Sequence, residues 1–125
     1  MSTVLDADAT ELARRLRAGE ISATSLVDAA IAGIERVNPQ LNAVVHRMYE
    51  TARQQAAQPL SDAPFAGVPM VVKDFDGFVK GVPYTASTRF LEGFVPDHDA
   101  EAIARLRRAG FIFLAKTNLP ELAIL

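Results

Sequence analysis

The chain of 125 residues contains no cysteine, which excludes a disulfide framework and a thiolate metal site. It has no apolar run approaching the about 20 residues that cross a bilayer, and its first residues lack the basic start and apolar stretch of a signal peptide. Acidic residues outnumber basic ones by 15 to 13, which argues against nucleic acid or an anionic membrane as the main partner. These features predict a cytoplasmic protein of about one domain.

Lysine is scarce, because only three of the 13 basic residues are lysines. One of them, Lys73, ends the apolar run of the segment Gly67–Asp74. Arginine stays charged almost anywhere, whereas a buried lysine can lose its proton and act as a base. We therefore expect Lys73 to be buried at the carboxyl end of a strand and to point toward a site. The alternative is a lysine whose ammonium reaches out to solvent from a strand end.

The periodicity of apolar residues predicts two leading helices within residues 10–38, the first capped by Thr10 and the second by Ser22 or Thr24. Asn38–Pro39 is expected to end the second helix. Strands and helices then alternate, which predicts an α/β layered fold with a partly parallel sheet. The expected strands are 41–45, 68–72 and 111–115, the expected helices are 48–58 and 99–110, and residues 75–95 are expected to be irregular.

Several polar residues have two open interpretations. Asp74 either pairs with a cation or caps a turn, and the hydroxyls of Thr85–Thr88 either bind a ligand or satisfy loop backbone. Lys116–Asn118 follows a predicted buried strand, where ligands tend to bind in open α/β sheets, although its last two residues fit a turn equally well. His46 and His98 are isolated from carboxylates at ligand spacing, and no phosphate-loop or dinucleotide motif occurs, so we expect neither a metal nor a cofactor.

Taken together, these segments resemble the amidase signature family. The resemblance is carried by segments that occur in the family's order and span nearly the whole chain: Asn38–Ala43, Gly67–Asp74, Gly81–Thr85, Arg89–Leu91, Asp99–Gly110 and Lys116–Glu121. It implies the N-terminal part of a layered α/β/α fold with a mixed sheet, in which two leading helices at 10–38 precede an α/β segment at 41–125.

The resemblance also implies a Ser–cis-Ser–Lys mechanism, in which a serine attacks an amide carbonyl and a second serine relays its proton to a neutral lysine. Lys73 matches the position of that lysine. The family's two serines lie in a downstream Gly/Ser-rich segment, and neither Ser61 nor Ser87 has that context. The family often has Gly-Ser in place of Ser87-Thr88 and Gly in place of Ala115, and these departures are expected to alter loop geometry near the site.

The resemblance leaves the substrate and the assembly open. The leading expectation is a hydrolase acting on a small-molecule amide, with the serine-bearing remainder of the domain lying outside these 125 residues and the chain inactive alone. The alternatives are the amidase subunit of a tRNA-dependent amidotransferase and a non-catalytic assembly module. A homo-oligomer formed through an exposed sheet edge is a further expectation.

Overall fold

Four helices and three strands form the framework of the described part of the chain. A computed structural model describes residues 4–75 and 77–124. The helices are α1 (Ala9–Arg17), α2 (Ala23–Leu41), α3 (Tyr49–Ala56) and α4 (Glu101–Arg108), and the strands are β1 (Val44–Arg47), β2 (Pro69–Lys73) and β3 (Ile112–Thr117). Single 3-10 turns occupy Val4–Asp6, Arg89–Leu91 and Glu121–Ala123.

The two leading helices are confirmed, although one of their predicted caps is wrong. Ser22 caps α2, because its hydroxyl oxygen accepts a hydrogen bond from the Ser25 N–H at 3.1 Å. Thr10 does not cap α1, since the helix begins one residue earlier and the Asp8 carboxylate accepts from the Glu11 N–H at 2.9 Å. A carboxylate also suits the positive end of the helix dipole.

The second helix runs past the proline that was expected to stop it. α2 continues through Pro39 to Leu41 and is capped by Asn42, whose backbone is left-handed with φ 48°. The side chain of Asn38 is 8% exposed and reaches across to β1, where it accepts from the Val44 N–H at 2.8 Å and donates to the Val44 carbonyl oxygen at 3.1 Å. These two bonds fix the end of α2 against the sheet, so the lost backbone bond at Pro39 does not end the helix.

The three strands form a mixed sheet in the order β1-β3-β2, in which β3 is antiparallel to β1 and parallel to β2. The β2–β3 register shifts by one residue because Met70 lies opposite Phe113 whereas Val71 lies opposite Ala115, so Leu114 is an extra residue of the kind found in a β-bulge. The predicted partly parallel α/β sheet is thereby confirmed, and the structure is that of the expected fold class.

Two apolar clusters pack on the sheet. The larger one joins α1, α2 and α3 to residues of all three strand regions, and its buried members include Leu12, Leu16, Leu26, Val27, Val44, Val68 and Leu114. The smaller one consists of Val72, Val79, Ile103 and Phe113, and it brings α4 against β2 and β3. Residues 75–95 contain no strand in their described part and cover this second cluster as irregular chain, as expected.

Within the described residues, β2 is an edge strand with a hydrogen-bonded neighbour on one side only. Val71 in this strand is 39% exposed, and beside it lies an apolar groove of about 400 Å³ whose lining includes Leu5, Ile34, Val37 and Leu114. None of the helices in the described part of the chain combines the length and the apolarity that a membrane crossing requires.

We predict that Asn38→Ala destabilises the chain by about 1–3 kcal/mol, because it leaves the buried Val44 N–H without a partner. The measurement is the free energy of unfolding from urea denaturation. Gln40→Ala, which changes an exposed residue of the same helix, is the matched control and should stay within about 0.5 kcal/mol of the parent chain. Equal stability of both variants would show that the Asn38 side chain does not tie α2 to β1.

Candidate active site

Lys73 is the last residue of β2, at the carboxyl end of the strand, as predicted. Its side chain is half-buried rather than buried, because β2 is an edge strand that has a neighbouring strand, β3, on one side only in the described chain. Over residues 4–75 and 77–124, no side chain forms an ion pair or hydrogen bond with the Lys73 ammonium. The geometry therefore presents an amine that is partly shielded and has no fixed partner in the described chain.

The neighbouring residue, Asp74, is fixed from three directions. Its backbone N–H donates to the Thr117 carbonyl oxygen at 3.0 Å, which extends the β2–β3 ladder by one residue. Its Oδ2 accepts from the Thr85 hydroxyl at 2.6 Å and from the Thr85 N–H at 3.2 Å. Its Oδ1 lies 2.6 Å from Nζ of Lys116. Of the two interpretations left open for Asp74, pairing with a cation is the one observed.

Lys116 is the buried lysine of the chain, with 0% of its side chain exposed. It lies inside β3 rather than after it, because the strand extends to Thr117 and pairs with β1 and β2 on both sides. Its Nζ is 4.8 Å from the centroid of the Tyr84 ring, a cation–π distance. Neither Lys116 Nζ nor Asp74 Oδ1 has a well-aligned hydrogen-bond partner in the described residues, so their 2.6 Å contact is chiefly an ion pair.

Lys73 and the ion pair point to opposite faces of the sheet. The parallel register places Lys73 beside Thr117 and Val72 beside Lys116, and successive side chains along a strand alternate between faces. Asp74 follows Lys73 and therefore shares the face of Val72 and Lys116. The two lysines at the carboxyl ends of β2 and β3 are thus separated by the sheet itself.

On the side of β3 that faces away from β2, Lys116 lies opposite His46 of β1. The pKa of His46 is lowered from its ordinary value of 6.5, first by burial and then by the positive charge of Lys116, whereas the charge of Asp74 acts in the opposite direction. The pKa of His46 is consequently sensitive to the charges of the buried pair.

The loop Thr85–Thr88 uses its hydroxyls for internal bonds, which is the second of the two interpretations left open. The Thr85 hydroxyl oxygen accepts from the Ser87 N–H at 3.2 Å, and the Thr88 hydroxyl oxygen accepts from the Phe90 N–H at 3.4 Å. Ala86 and Ser87 have φ values of 47° and 54°, a left-handed backbone that favours glycine. Ser87 thus occupies a conformation that the glycine often found in the family would adopt with less strain.

Asn118 closes the carboxyl end of β3 as a turn residue. Its side-chain amide donates to the Asn42 carbonyl oxygen at 3.1 Å, and its Oδ1 accepts from the Leu119 N–H at 2.9 Å. His98 contacts Asp97 at the surface. In the part of the chain that the structure describes, no three His, Asp or Glu side chains are placed to share a metal ion.

Sequence reasoning missed Lys116 as a buried charge, although a signal was present. Lys116 ends the apolar run Phe111–Ala115, just as Lys73 ends its own apolar run. The two lysines differ in burial because the sheet order makes β3 the central strand and β2 an edge strand.

The comparisons with known proteins agree with this geometry. The sequence model of the family described as Amidase matches residues 25–125. A 6-aminohexanoate-cyclic-dimer hydrolase of Paenarthrobacter ureafaciens is 44% identical over 117 residues, which cover 92% of this chain and 23% of that protein. A glutamyl-tRNA(Gln) amidotransferase subunit of Rhodopirellula baltica is 37% identical over 123 residues, which cover 93% of this chain and 24% of that protein.

Solved structures show the same likeness. A 6-aminohexanoate cyclic dimer hydrolase complexed with substrate superposes with a TM-score of 0.88 at 43% identity, covering 96% of this chain and 25% of that one. A peptide amidase bound to the inhibitor chymostatin superposes with a TM-score of 0.82 at 32% identity, covering 94% and 26%.

The fold and the relatives together define a family of hydrolases. The chain belongs to this family, which is the amidase family, that of the amidase signature enzymes. It spans about a quarter of the length of the relatives that it matches.

We predict that Lys116→Met raises the pKa of His46, because it removes the positive charge that disfavours the protonated imidazole. Asp74→Asn should shift the same pKa further down, since it removes the charge that acts in the opposite direction. The measurement is an NMR titration of the His46 ring protons, with circular dichroism to confirm that each variant is folded. Shifts of the same sign in both folded variants would contradict the described placement of the pair beside His46.

Proposed function

We propose that this chain supplies the terminal base of an amide hydrolase, with Lys73 in that role. The observation that carries the proposal is the position of Lys73 at the carboxyl end of β2, within a segment that matches the amidase family. Its amine has no ion-pair partner among the described residues, and the adjoining carboxylate of Asp74 is already bound by Lys116 and Thr85. No side chain of the described residues therefore competes with a substrate or a serine for contact with the Lys73 nitrogen.

In the proposed reaction, a serine Oγ attacks the amide carbonyl carbon while its proton passes through a second serine, held in a cis peptide, to the neutral amine of Lys73. The tetrahedral intermediate then expels the amine, which takes the proton back from Lys73, and an acyl-serine remains. A water attacks this ester by the same proton route and releases the carboxylate product. Both serines belong, in this proposal, to a segment outside these 125 residues, so that the chain is the N-terminal portion of a single amidase domain.

We propose a small-molecule amide as the substrate, and a linear or cyclic oligoamide as its class. The support is the similarity to a 6-aminohexanoate-cyclic-dimer hydrolase, at 44% identity over 92% of the chain. The second candidate is the amidase subunit of a tRNA-dependent amidotransferase, which is supported by 37% identity over 93% of the chain. A cytoplasmic location is part of the same proposal, and cell fractionation tests it.

The decisive experiment is a chimera in which this chain replaces the matching N-terminal quarter of the Paenarthrobacter ureafaciens hydrolase. We predict that the chimera hydrolyses the cyclic dimer and that Lys73→Ala lowers its turnover by about 10²–10⁴-fold, the range for removal of a general base. The measurement is product release followed by chromatography. Lys80→Ala changes an exposed lysine of the same chain and is the matched control, with turnover expected to be unchanged.

Retention of turnover in the Lys73→Ala chimera would refute the role of Lys73, whereas an inactive parent chimera would count against the proposal that this chain supplies part of such a hydrolase domain. The 125-residue chain alone should release no amine or ammonia above a Lys73→Ala control, because the proposal places both serines outside these residues.

An assembly role is the alternative from another class, and the open edge of β2 favours it. We predict that the isolated chain, of 13.5 kDa, self-associates through this edge and the apolar groove beside it. Light scattering after size exclusion measures the mass. Val71→Lys should shift the population toward monomer, whereas Val95→Lys, a matched change of an exposed valine in the irregular segment, should not. A chain that remains monomeric at high concentration would exclude this mode of association.

A further inference from the structure

We propose that the buried Asp74–Lys116 ion pair, held by Thr85, is a positioning device that fixes the direction in which β2 presents Lys73. The inference rests on the proposed function of Lys73 as the base. Neither member of the pair is assigned contact with substrate, so both are positioning residues that act through Lys73.

The first support is the number of contacts that hold Asp74. The backbone N–H of Asp74 is bonded to Thr117, one carboxylate oxygen contacts Lys116 and the other accepts two hydrogen bonds from Thr85. Asp74 is 3% exposed, so its side chain has no solvent into which it could swing. The peptide that joins Lys73 to Asp74 is planar, and fixing Asp74 therefore restricts the orientation of Lys73.

The second support is the side of the sheet on which the pair lies. Strand alternation directs Lys73 to one face and Asp74 to the other, where it contacts Lys116. Without Lys116, the carboxylate would be buried and unpaired, and the strand end would have to twist to bring it to water or to another cation. The nearest cation in the sequence is Lys73 itself. The pair thus prevents the base from forming an ion pair with its own neighbour.

The third support is the cost of the pair. Two buried charges lose their hydration, and apolar residues of similar volume often stabilise a fold as well or better. Lys116 directly follows an apolar run in the central strand, where another apolar residue would extend the core. Ionic contacts and hydrogen bonds demand particular directions, which apolar packing does not. The pair is therefore better explained by the single arrangement that it enforces than by the stability that it adds.

The fourth support is the location of the pair where separate elements converge. Lys116 lies opposite His46 of β1 and Val72 of β2, and the Tyr84 ring covers its ammonium. Thr85 belongs to the irregular segment after β2, and its hydroxyl bridges Asp74 and the Ser87 N–H. One buried ion pair is thereby in contact with, or paired to, all three strands and the loop. A device that positions a strand end requires such connections to several elements.

The test uses the active chimera and the double variant Asp74→Asn/Lys116→Met, in which no buried charge is left unpaired. The side-chain amide oxygen that replaces the carboxylate oxygen can still accept a hydrogen bond from Thr85, so the fold is expected to survive. We expect kcat to fall by about 10–100-fold with KM within about twofold of the parent, as for a base displaced by about 1 Å. Leu26→Ala, a buried change in α2, controls for a general loss of stability and should leave kcat unchanged.

A second, milder pair of variants keeps both buried charges. Thr85→Val removes the 2.6 Å hydrogen bond to Asp74 with little change of shape and should lower kcat, whereas Thr85→Ser retains the hydroxyl and should keep kcat near that of the parent chimera. These two variants provide the test if the double variant does not fold.

The outcomes separate the two proposals. Parent-like kcat in a folded double variant, or equal kcat in the two Thr85 variants, overturns the positioning role while the loss of activity in Lys73→Ala still supports the base. Activity that survives Lys73→Ala overturns the proposed function and the positioning role with it. A lowered kcat at constant KM in the double variant, with parent-like kcat in Thr85→Ser, supports the positioning role.

Discussion

The contact between Asp74 and Lys116 is the interaction on which the end of the sheet depends. It spans 2.6 Å, in a region where both side chains are almost completely buried. Removing one partner of such a pair leaves an uncompensated charge, which typically costs about 3–5 kcal/mol. Along β2 and β3, the second apolar cluster extends only to Val72 and Phe113. The contact joins the edge strand β2 to the central strand β3 beyond this cluster. The order of the strand end is thus electrostatic rather than hydrophobic.

This arrangement gives different environments to the two lysines at the strand ends. Lys116, in the central strand, is enclosed and bound in an ion pair, whereas Lys73, at the edge, is half-buried and has no ion-pair partner among residues 4–75 and 77–124. A base must exchange its proton, and an ion pair inside a core hinders that exchange. The same chemical group therefore has two different environments, which are determined by the strand that carries it and by the face to which it points.

The architecture was predictable from the sequence because its signals are local. Apolar periodicity predicted both leading helices, the acidic start and basic end of residues 99–110 predicted α4, and the continuous apolar runs predicted β2 and β3. Helix-ending rules failed where a side-chain contact between two elements outweighs them. Pro39 does not end α2, because the Asn38 side chain bonds to the backbone of β1 and retains the helix end.

The candidate site was predictable only in part, because its sequence signals are local whereas the burial of its residues depends on strand order. Two lysines end apolar runs, and the sequence alone cannot tell which of the two strands is central, because strand order is a property of pairing between distant segments. Burial was therefore expected at Lys73 and is found at Lys116. The family resemblance singles out Lys73 independently of its burial, and the two observations fit together once the roles are separated. In the proposed function, Lys73 acts as the base beside Asp74, whose charge is balanced by Lys116 of the central strand.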